Sequence, residues 1–247
     1  MNHLKKLFTI LIFGCYIIAA DKSYKIVSTD IQSFIKQDGS IDFIENREFD
    51  FTGSYTYVYQ DIPKKGFDQI YDIQVSANNI PFINSDSKEA GTFIIQERNS
   101  YYRIYLYHKS QDEKKLFTVK YSLRQPFTVG PNDSQFYWIY LSDKWDKRPG
   151  SLAITQTFLS PISEEDITYQ LERPSSSKEY ALNIDGNTLS FRSDDFSSST
   201  EMKLRTIFPS SYFVNVEINN ENFSLAALEK KKRNKELVQY FIGFLAL

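Results

Sequence analysis

The chain reads as all-β: an antiparallel β-sandwich, or two abutting β-subdomains, between an N-terminal signal helix and a C-terminal helix entering the membrane. Three observations predict the β body. Stretches alternating apolar and polar residues recur along it, which is the period of a half-buried strand. Dipeptides able to take positive φ separate them, among them Asp38-Gly39, Asn78-Asn79 and Asp185-Gly186. The 247 residues include 20 Phe and 17 Tyr but only 2 Met, and flat rings suit a pleated surface.

Residues 1–20 carry a signal-peptide pattern. Lys5 and Lys6 precede an apolar run, Leu7 to Ile18, and Ala19-Ala20 stand before the charged Asp21-Lys22. The run is shorter than the roughly 20 residues that span a bilayer. Ile12-Phe13-Gly14-Cys15 also resembles a bacterial lipidation box with Cys15 acylated. Bulky Phe13 and the apolar residues beyond Cys15 rank that below cleavage after Ala20. The organisation is therefore a signal peptide over 1–20, an exported β-domain over 21–220, and a third segment over 221–247.

Within the body, Tyr24 to Lys36 alternates with Val27, Ile31 and Ile35 on one face. It pairs across Asp38-Gly39 with a strand placing Ile41, Phe43, Phe49 and Phe51 together. Glu45 and Arg47 interrupt that apolar face and read as a partly buried structural ion pair. Gly53 and Pro63–Gly66 break the pattern, after which Ile70–Val75 is a strand and Ile80-Pro81-Phe82 comes after its turn. Phe93–Glu97 and Tyr102–Tyr107 form a hairpin about Asn99-Ser100. Leu116–Leu123 is a clear strand, with Phe117, Val119, Tyr121 and Leu123 on one side. After the loop Gln125–Ser134, the run Phe136–Leu141 is apolar on both faces and reads as a central strand. Leu152–Leu159, Ile167–Leu171, Tyr180–Ile184, Leu189–Phe191 and Met202–Phe208 continue the series, and Tyr212, Val214, Val216 and Ile218 mark a last strand. A join between subdomains falls near Ser160–Glu164.

Past Asn220 the composition changes. Asn222–Lys235 reads as a helix carrying Lys230-Lys231-Lys232-Arg233 and Lys235, and Leu237–Leu247 is almost wholly apolar. Eleven residues are too few to cross a bilayer, so this is a truncated transmembrane span or an interfacial segment.

Charge and composition exclude much chemistry. The formal charge is −2, and without Lys5 and Lys6 the balance is 27 basic to 31 acidic residues, −4, which leaves no nucleic-acid footprint. Cys15 is the only cysteine, so beyond the signal peptide there is neither disulfide nor thiolate. One histidine remains there, His108, read as a surface or capping residue. No nucleophile elbow, phosphate loop or dinucleotide fingerprint occurs, so no catalytic residue, cofactor or metal ligand is assigned. Glu164-Glu165-Asp166 and Asp194-Asp195 lack calcium-loop spacing. Two Asn-x-Ser sequons, at Asn132 and Asn222, matter only in a glycosylating host. Aromatics carry the candidate site. Trp138 reads as core, whereas Tyr101, Arg103, Tyr105, Tyr107 and Trp145 are candidates for a binding surface, the tyrosines equally readable as core.

A family resemblance joins these pieces. Asp38-Gly39-Ser40-Ile41 with Phe43 and Glu45, then Phe51-Thr52-Gly53-Ser54-Tyr55, then Asp61-Ile62-Pro63, resemble the opening of domain of unknown function 2207, a family of predicted bacterial membrane proteins. Phe136-Tyr137-Trp138 with Trp145, and Leu204 to Phe208-Pro209, resemble its later segments, giving coverage from about 24 to 220. Ile139, Ser142 and Ser160-Pro161 depart from the pattern. The resemblance implies an exported β-domain ahead of transmembrane helices and imports no activity. The expectation is an extracytoplasmic, membrane-anchored module that binds a protein partner in the envelope. The alternatives are a polysaccharide-binding module and, last, a hydrolase using acidic residues.

Overall fold

The computed structural model describes residues 22–142, 147–172, 179–194, 196, 201–231 and 233–234. The segment read as a signal peptide, Cys15, Trp145 and Leu237–Leu247 lie outside these residues. Strands dominate. In chain order they are β1 (Ser23–Ile35), β2 (Ser40–Thr52), β3 (Ser54–Pro63), β4 (Gln69–Ala77), β5 (Ile80–Pro81), β6 (Ile83–Asn84), β7 (Thr92–Glu97) and β8 (Tyr101–Gln111). The second half adds β9 (Lys114–Arg124), β10 (Phe127–Val129), β11 (Asp133–Leu141), β12 (Ser151–Phe158), β13 (Thr168–Glu172), β14 (Ala181–Asp185), β15 (Thr188–Ser193) and β16 (Met202–Pro209).

A broad sheet of eight strands, ordered β14-β15-β12-β1-β2-β9-β4-β5, backs the molecule. Two four-stranded sheets cover its inner face side by side: β3-β8-β7-β6 and β10-β11-β16-β13. The β1–β2 hairpin shows why. Gly39 sits at φ +78°, the left-handed conformation its turn needs. Beyond it β2 buries Ile41, Phe43, Glu45, Arg47, Phe49 and Phe51 on one face. The half of β2 near the turn meets the β11 sheet, with Phe43 5.4 Å from Trp138 between ring centres. Its far half meets the β8 sheet, with Phe51 5.3 Å from His108. One continuous apolar core results, and each fully buried Phe in it contributes about 2–3 kcal/mol by leaving water.

Several expectations need correction. The sandwich is not wholly antiparallel: β1 pairs in parallel with β12, and β6 with β7. The β1–β12 pair also carries the late strands into the same broad sheet as the early ones. The two halves therefore share one sheet and do not abut near Ser160–Glu164. Periodicity along each strand is blind to this, because a parallel pair needs a crossover between distant segments. A bulge between Ile26 and Ser28 changes the phase of β1, so Ile26 faces the core and Val27 does not. Strand β3 fills the stretch left unassigned between the breaks at Gly53 and Pro63–Gly66, and β10 lies inside the loop Gln125–Ser134. Strand β11 is laterally central, yet it is buried on one face only. Tyr137 is 36% exposed, its outward ring lying under Arg205 at 4.1 Å.

Tyr212–Ile218 is not a strand. A short 3-10 turn, Ser210–Tyr212, leads into a strap across the end of the sandwich. Asn215 at φ +59° breaks the extended run. The strap is fastened by Tyr212 Oη donating to the Ile35 carbonyl and by Val214 N donating to the Gln37 carbonyl, both at 2.8 Å. Farther on, Asn219 Nδ2 donates to the Phe127 carbonyl and its Oδ1 accepts from Val129 N, both at 2.9 Å. Gly130 is required where the strap passes: a Cβ there would lie 2.3 Å from the Phe223 carbonyl oxygen. A helix then begins at Leu225, later than expected.

Candidate functional site

The outer face of the β3–β8–β7 sheet is aromatic. Antiparallel register sets Tyr57 opposite Tyr107, Tyr59 opposite Tyr105, and Asp61 opposite Arg103. On the third strand Ile94 faces Tyr105 and Gln96 faces Arg103. Inward residues of the same strands, Gln60, Ile62, Ile104 and Leu106, are buried. A register break between Tyr55 and Tyr57 turns these near neighbours to opposite sides. Tyr55 packs inward, 4.9 Å from Phe51, while Tyr57 is 49% exposed and Tyr59 52%.

The rings form a contiguous ladder. Tyr57 lies 5.9 Å from Tyr105, Tyr59 lies 6.0 Å from Tyr105, and Tyr105 and Tyr107 are 6.2 Å apart and nearly parallel. Arg103 closes one end: its guanidinium sits 4.0 Å from the Tyr59 ring centre and 5.2 Å from that of Tyr101. Its Nε and Nη2 each donate to an Asp61 oxygen at 2.7 Å, a bidentate pair. Those bonds raise the Arg103 pKa above its ordinary value, so the charge is permanent. Partial burial, with Tyr105 and Tyr57 adjacent, pushes the Tyr107 phenol up as well, keeping it a neutral donor. The surface therefore offers phenol hydroxyls, ring edges and one orienting ion pair. It suits binding and holds no nucleophile–base pair.

Of the expected site residues, Tyr101, Arg103 and Tyr105 stand half-buried on this outward face, Tyr107 lies beside them buried at 9% exposure, and Trp145 lies outside the described residues. Sequence reading missed Tyr57, Tyr59 and Asp61. Their signal was present in the alternating Tyr55-Thr56-Tyr57-Val58-Tyr59, set between Gly53 and Pro63.

A second polar region lies inside, at the seam between the two covering sheets. Glu45 Oε2 accepts from Arg47 Nη2 at 2.5 Å, and Glu45 Oε1 accepts from Tyr121 Oη at 2.6 Å. Burial, then the neighbouring Glu45, holds the Tyr121 phenol protonated. A cavity of about 30 Å³ borders these groups together with Asp61, Trp138 and Tyr140, room for one or two waters. The Glu45–Arg47 pair is thus structural, as its place among apolar neighbours implied. His108, in contrast, is neither surface nor cap. It is 3% exposed, its Nδ1 2.8 Å from Ser110 Oγ, and burial lowers its pKa to about 4 with Lys115 adding to the effect. Alternation at the end of β8 turned it inward. Among the described residues no group of three or more His, Cys, Asp or Glu converges as a metal cluster.

A family model described as predicted membrane protein (DUF2207) N-terminal domain matches residues 25–212. The chain belongs to that family. The match covers nearly all of the resemblance drawn from the sequence, and both the tyrosine face and the seam of this DUF2207 domain fall within it. No curated protein matches the chain. Among solved structures, a candidate nutrient-binding protein from Legionella pneumophila is 12% identical with a TM-score of 0.45, covering 75% of this chain and 67% of its own. An M1 zinc metallopeptidase from Deinococcus radiodurans is 9% identical at 0.40, covering 73% and 42%. Leukotriene A4 hydrolase from Saccharomyces cerevisiae is 7% identical at 0.42, covering 74% and 29%. The DUF2207 chain thus spans less than half of either of the last two, and at these scores none of the three carries an argument about its chemistry. Among its described residues no helix is long and apolar enough to cross a membrane.

Proposed function

We propose that this DUF2207 domain is an extracytoplasmic binding module of the cell envelope, exported behind residues 1–20, that recruits a protein partner through its tyrosine face. The observation that carries this reading is the ladder of Tyr57, Tyr59, Tyr101, Tyr105 and Tyr107 around the Arg103–Asp61 pair. Tyr and Arg are the side chains that concentrate energy at protein interfaces, since they offer large rigid area with a polar tip. An exposed face of that composition needs a reason, because a solvated sheet is ordinarily polar. Polysaccharide stacking, the other use of aromatic surfaces, requires open ring faces. Here Arg103 covers Tyr59, and Tyr105 and Tyr107 stand side by side, so edges and hydroxyls are presented instead. That favours a protein partner.

The test places a photocrosslinking residue at Tyr59 in the full chain, expressed in source cells, with a control at exposed Arg192 on the outer face of the broad sheet. A discrete protein adduct is expected at position 59 and not at 192, weakened several-fold by Tyr105→Ser with the fold unchanged. An adduct to polysaccharide, or equal adducts at both positions, would overturn the reading.

A further inference from the structure

The two ends of the domain leave the sandwich at opposite poles. Lys22 lies beside Gly53, within 3.6 Å of where a Cβ would stand, with its ammonium 4.3 Å from the Tyr55 ring centre. Strand β1 starts one residue later, paired with Thr52, and runs to Ile35 opposite Ile41. Its 13 residues separate those poles by roughly 40 Å. The strap lies at the second pole. There Ser224 caps the terminal helix, its Oγ accepting from Ala227 N and its carbonyl from Leu228 N, both at 3.1 Å. Leu225 N donates to Asp133 Oδ2 at 2.8 Å, and buried Phe223 pins the same turn. The helix is therefore fastened to the β10–β11 hairpin at its first residue, with no free linker.

The chain beyond this helix start suits a lipid surface. Lys230, Lys231, Lys232, Arg233 and Lys235 come with no acid among them, and Leu237–Leu247 continues as an apolar run. At 1.5 Å per residue, Lys230 to Arg233 stand about 8–12 Å beyond Leu225. Glu217, Glu221 and Glu229 precede the basic turn, and Glu236 follows it. Exposed Glu164, Glu165 and Asp166 stand at the same pole, where Leu159 N donates to the Ile35 carbonyl, so the attraction to lipid phosphates is local to this turn. At the same pole the strap exposes Val214 at 55% and Ile218 at 45%. The tyrosine face lies towards the other pole, since β3 begins next to Gly53.

We propose that the strap pole rests on an anionic bilayer, with the Lys230–Arg233 turn among lipid phosphates and Val214 and Ile218 at the headgroup boundary. The separation of the poles has two consequences. The tyrosine face projects away from the membrane, and an apolar segment retained ahead of Lys22 would have to reach the same bilayer from the wrong pole. Residues 1–20 must therefore be removed, and Cys15 acylation is incompatible with this posture. The inference rests on the envelope placement proposed above and is independent of what the tyrosine face binds.

The experiment uses the processed full chain, reconstituted into phosphatidylglycerol or phosphatidylcholine vesicles. It carries a polarity-sensitive fluorophore on a cysteine at Ile218 or, in a second sample, at Tyr57. A blue shift is expected at position 218 and none at 57. The shift should be larger with phosphatidylglycerol, by a margin that Lys230→Gln/Lys231→Gln/Arg233→Gln removes. Intact mass should place the first residue at Asp21. A shift at position 57, equal shifts in both lipids, or an acylated Cys15 as first residue would overturn the proposal. Failure to associate with either vesicle would overturn the membrane placement itself, a result separable from those three.

Discussion

The two covering sheets lie on the same face of the same broad sheet, yet they are held differently. Beneath β11 and β16, polar groups are matched: Gln156 Nε2 donates to Tyr140 Oη at 2.7 Å, and Thr206 Oγ1 donates to Gln156 Oε1. Ser33 completes the group from β1, 3.5 Å from Tyr140 Oη. All four residues are buried, and together they bolt this sheet to the broad one. Beneath β3 and β8 the corresponding polar groups are left over. Gln60 Nε2 and His108 Nε2 are buried without a hydrogen-bond partner among the described residues. A buried polar group without a partner costs about 1–3 kcal/mol, so these two groups weaken the inner face of the tyrosine-bearing sheet. The outer faces differ as well: the bolted sheet exposes Tyr137 under Arg205, whose Nε is itself buried without a hydrogen-bond partner among the described residues, and the other exposes Tyr57 and Tyr59.

This contrast can be broken most forcefully at the bolt. Gln156→Ala removes the partner of two buried hydroxyls and opens a cavity, and should lower unfolding free energy by about 4 kcal/mol in urea titration. A loss under about 1 kcal/mol would mean that the bolt does not hold the sheet. Next in size is a pH effect confined to the other sheet. His108 is stable only when neutral in the fold, with its pKa lowered to about 4 from an unfolded value near 6.5. Above pH 6.5 its contribution is complete. As pH falls from 6.5 to 4 the unfolded state takes up the proton first, and about 3 kcal/mol is lost. Stability curves of the parent and His108→Phe, compared over that window, should diverge in slope; parallel curves would contradict the assignment. The smallest effect has the opposite sign. Gln60→Leu deletes a donor that has no acceptor and should leave stability unchanged or raise it by up to about 1 kcal/mol, whereas a Gln156-sized loss would show that Gln60 is satisfied after all.

Much of this was legible from residue order, for local reasons. Strands β1, β2, β4, β7, β8, β9, β12, β15 and β16 announce themselves by alternation and by the turn residues that bound them. Strand β3 did not, because polar Gln60 and Asp61 and the register break near Tyr55 blur its period. The terminal strap reads as a strand because Tyr212, Val214, Val216 and Ile218 alternate. They do so while crossing turns and loops at one pole, and Asn215 prevents a ladder from forming. Four of the five candidate residues share one side of β8, as their alternation implied. Which side faced water was not legible, since Tyr and Ile are both acceptable in a core.

By itself, the sequence determined the β class, the main hairpins, the signal-like and basic-apolar ends, the family, and the poverty of catalytic groups, all of which depend on composition or on neighbours within a few residues. Tertiary structure alone decided that both halves enter one sheet, that Tyr57 and Tyr59 join Tyr105 and Tyr107, that His108 is buried, and that Lys22 and the helix start at Leu225 lie at opposite poles of the domain. Each of those depends on pairing between segments far apart in the chain, and a period of two along one strand says which residues share a face but not what lies across from them.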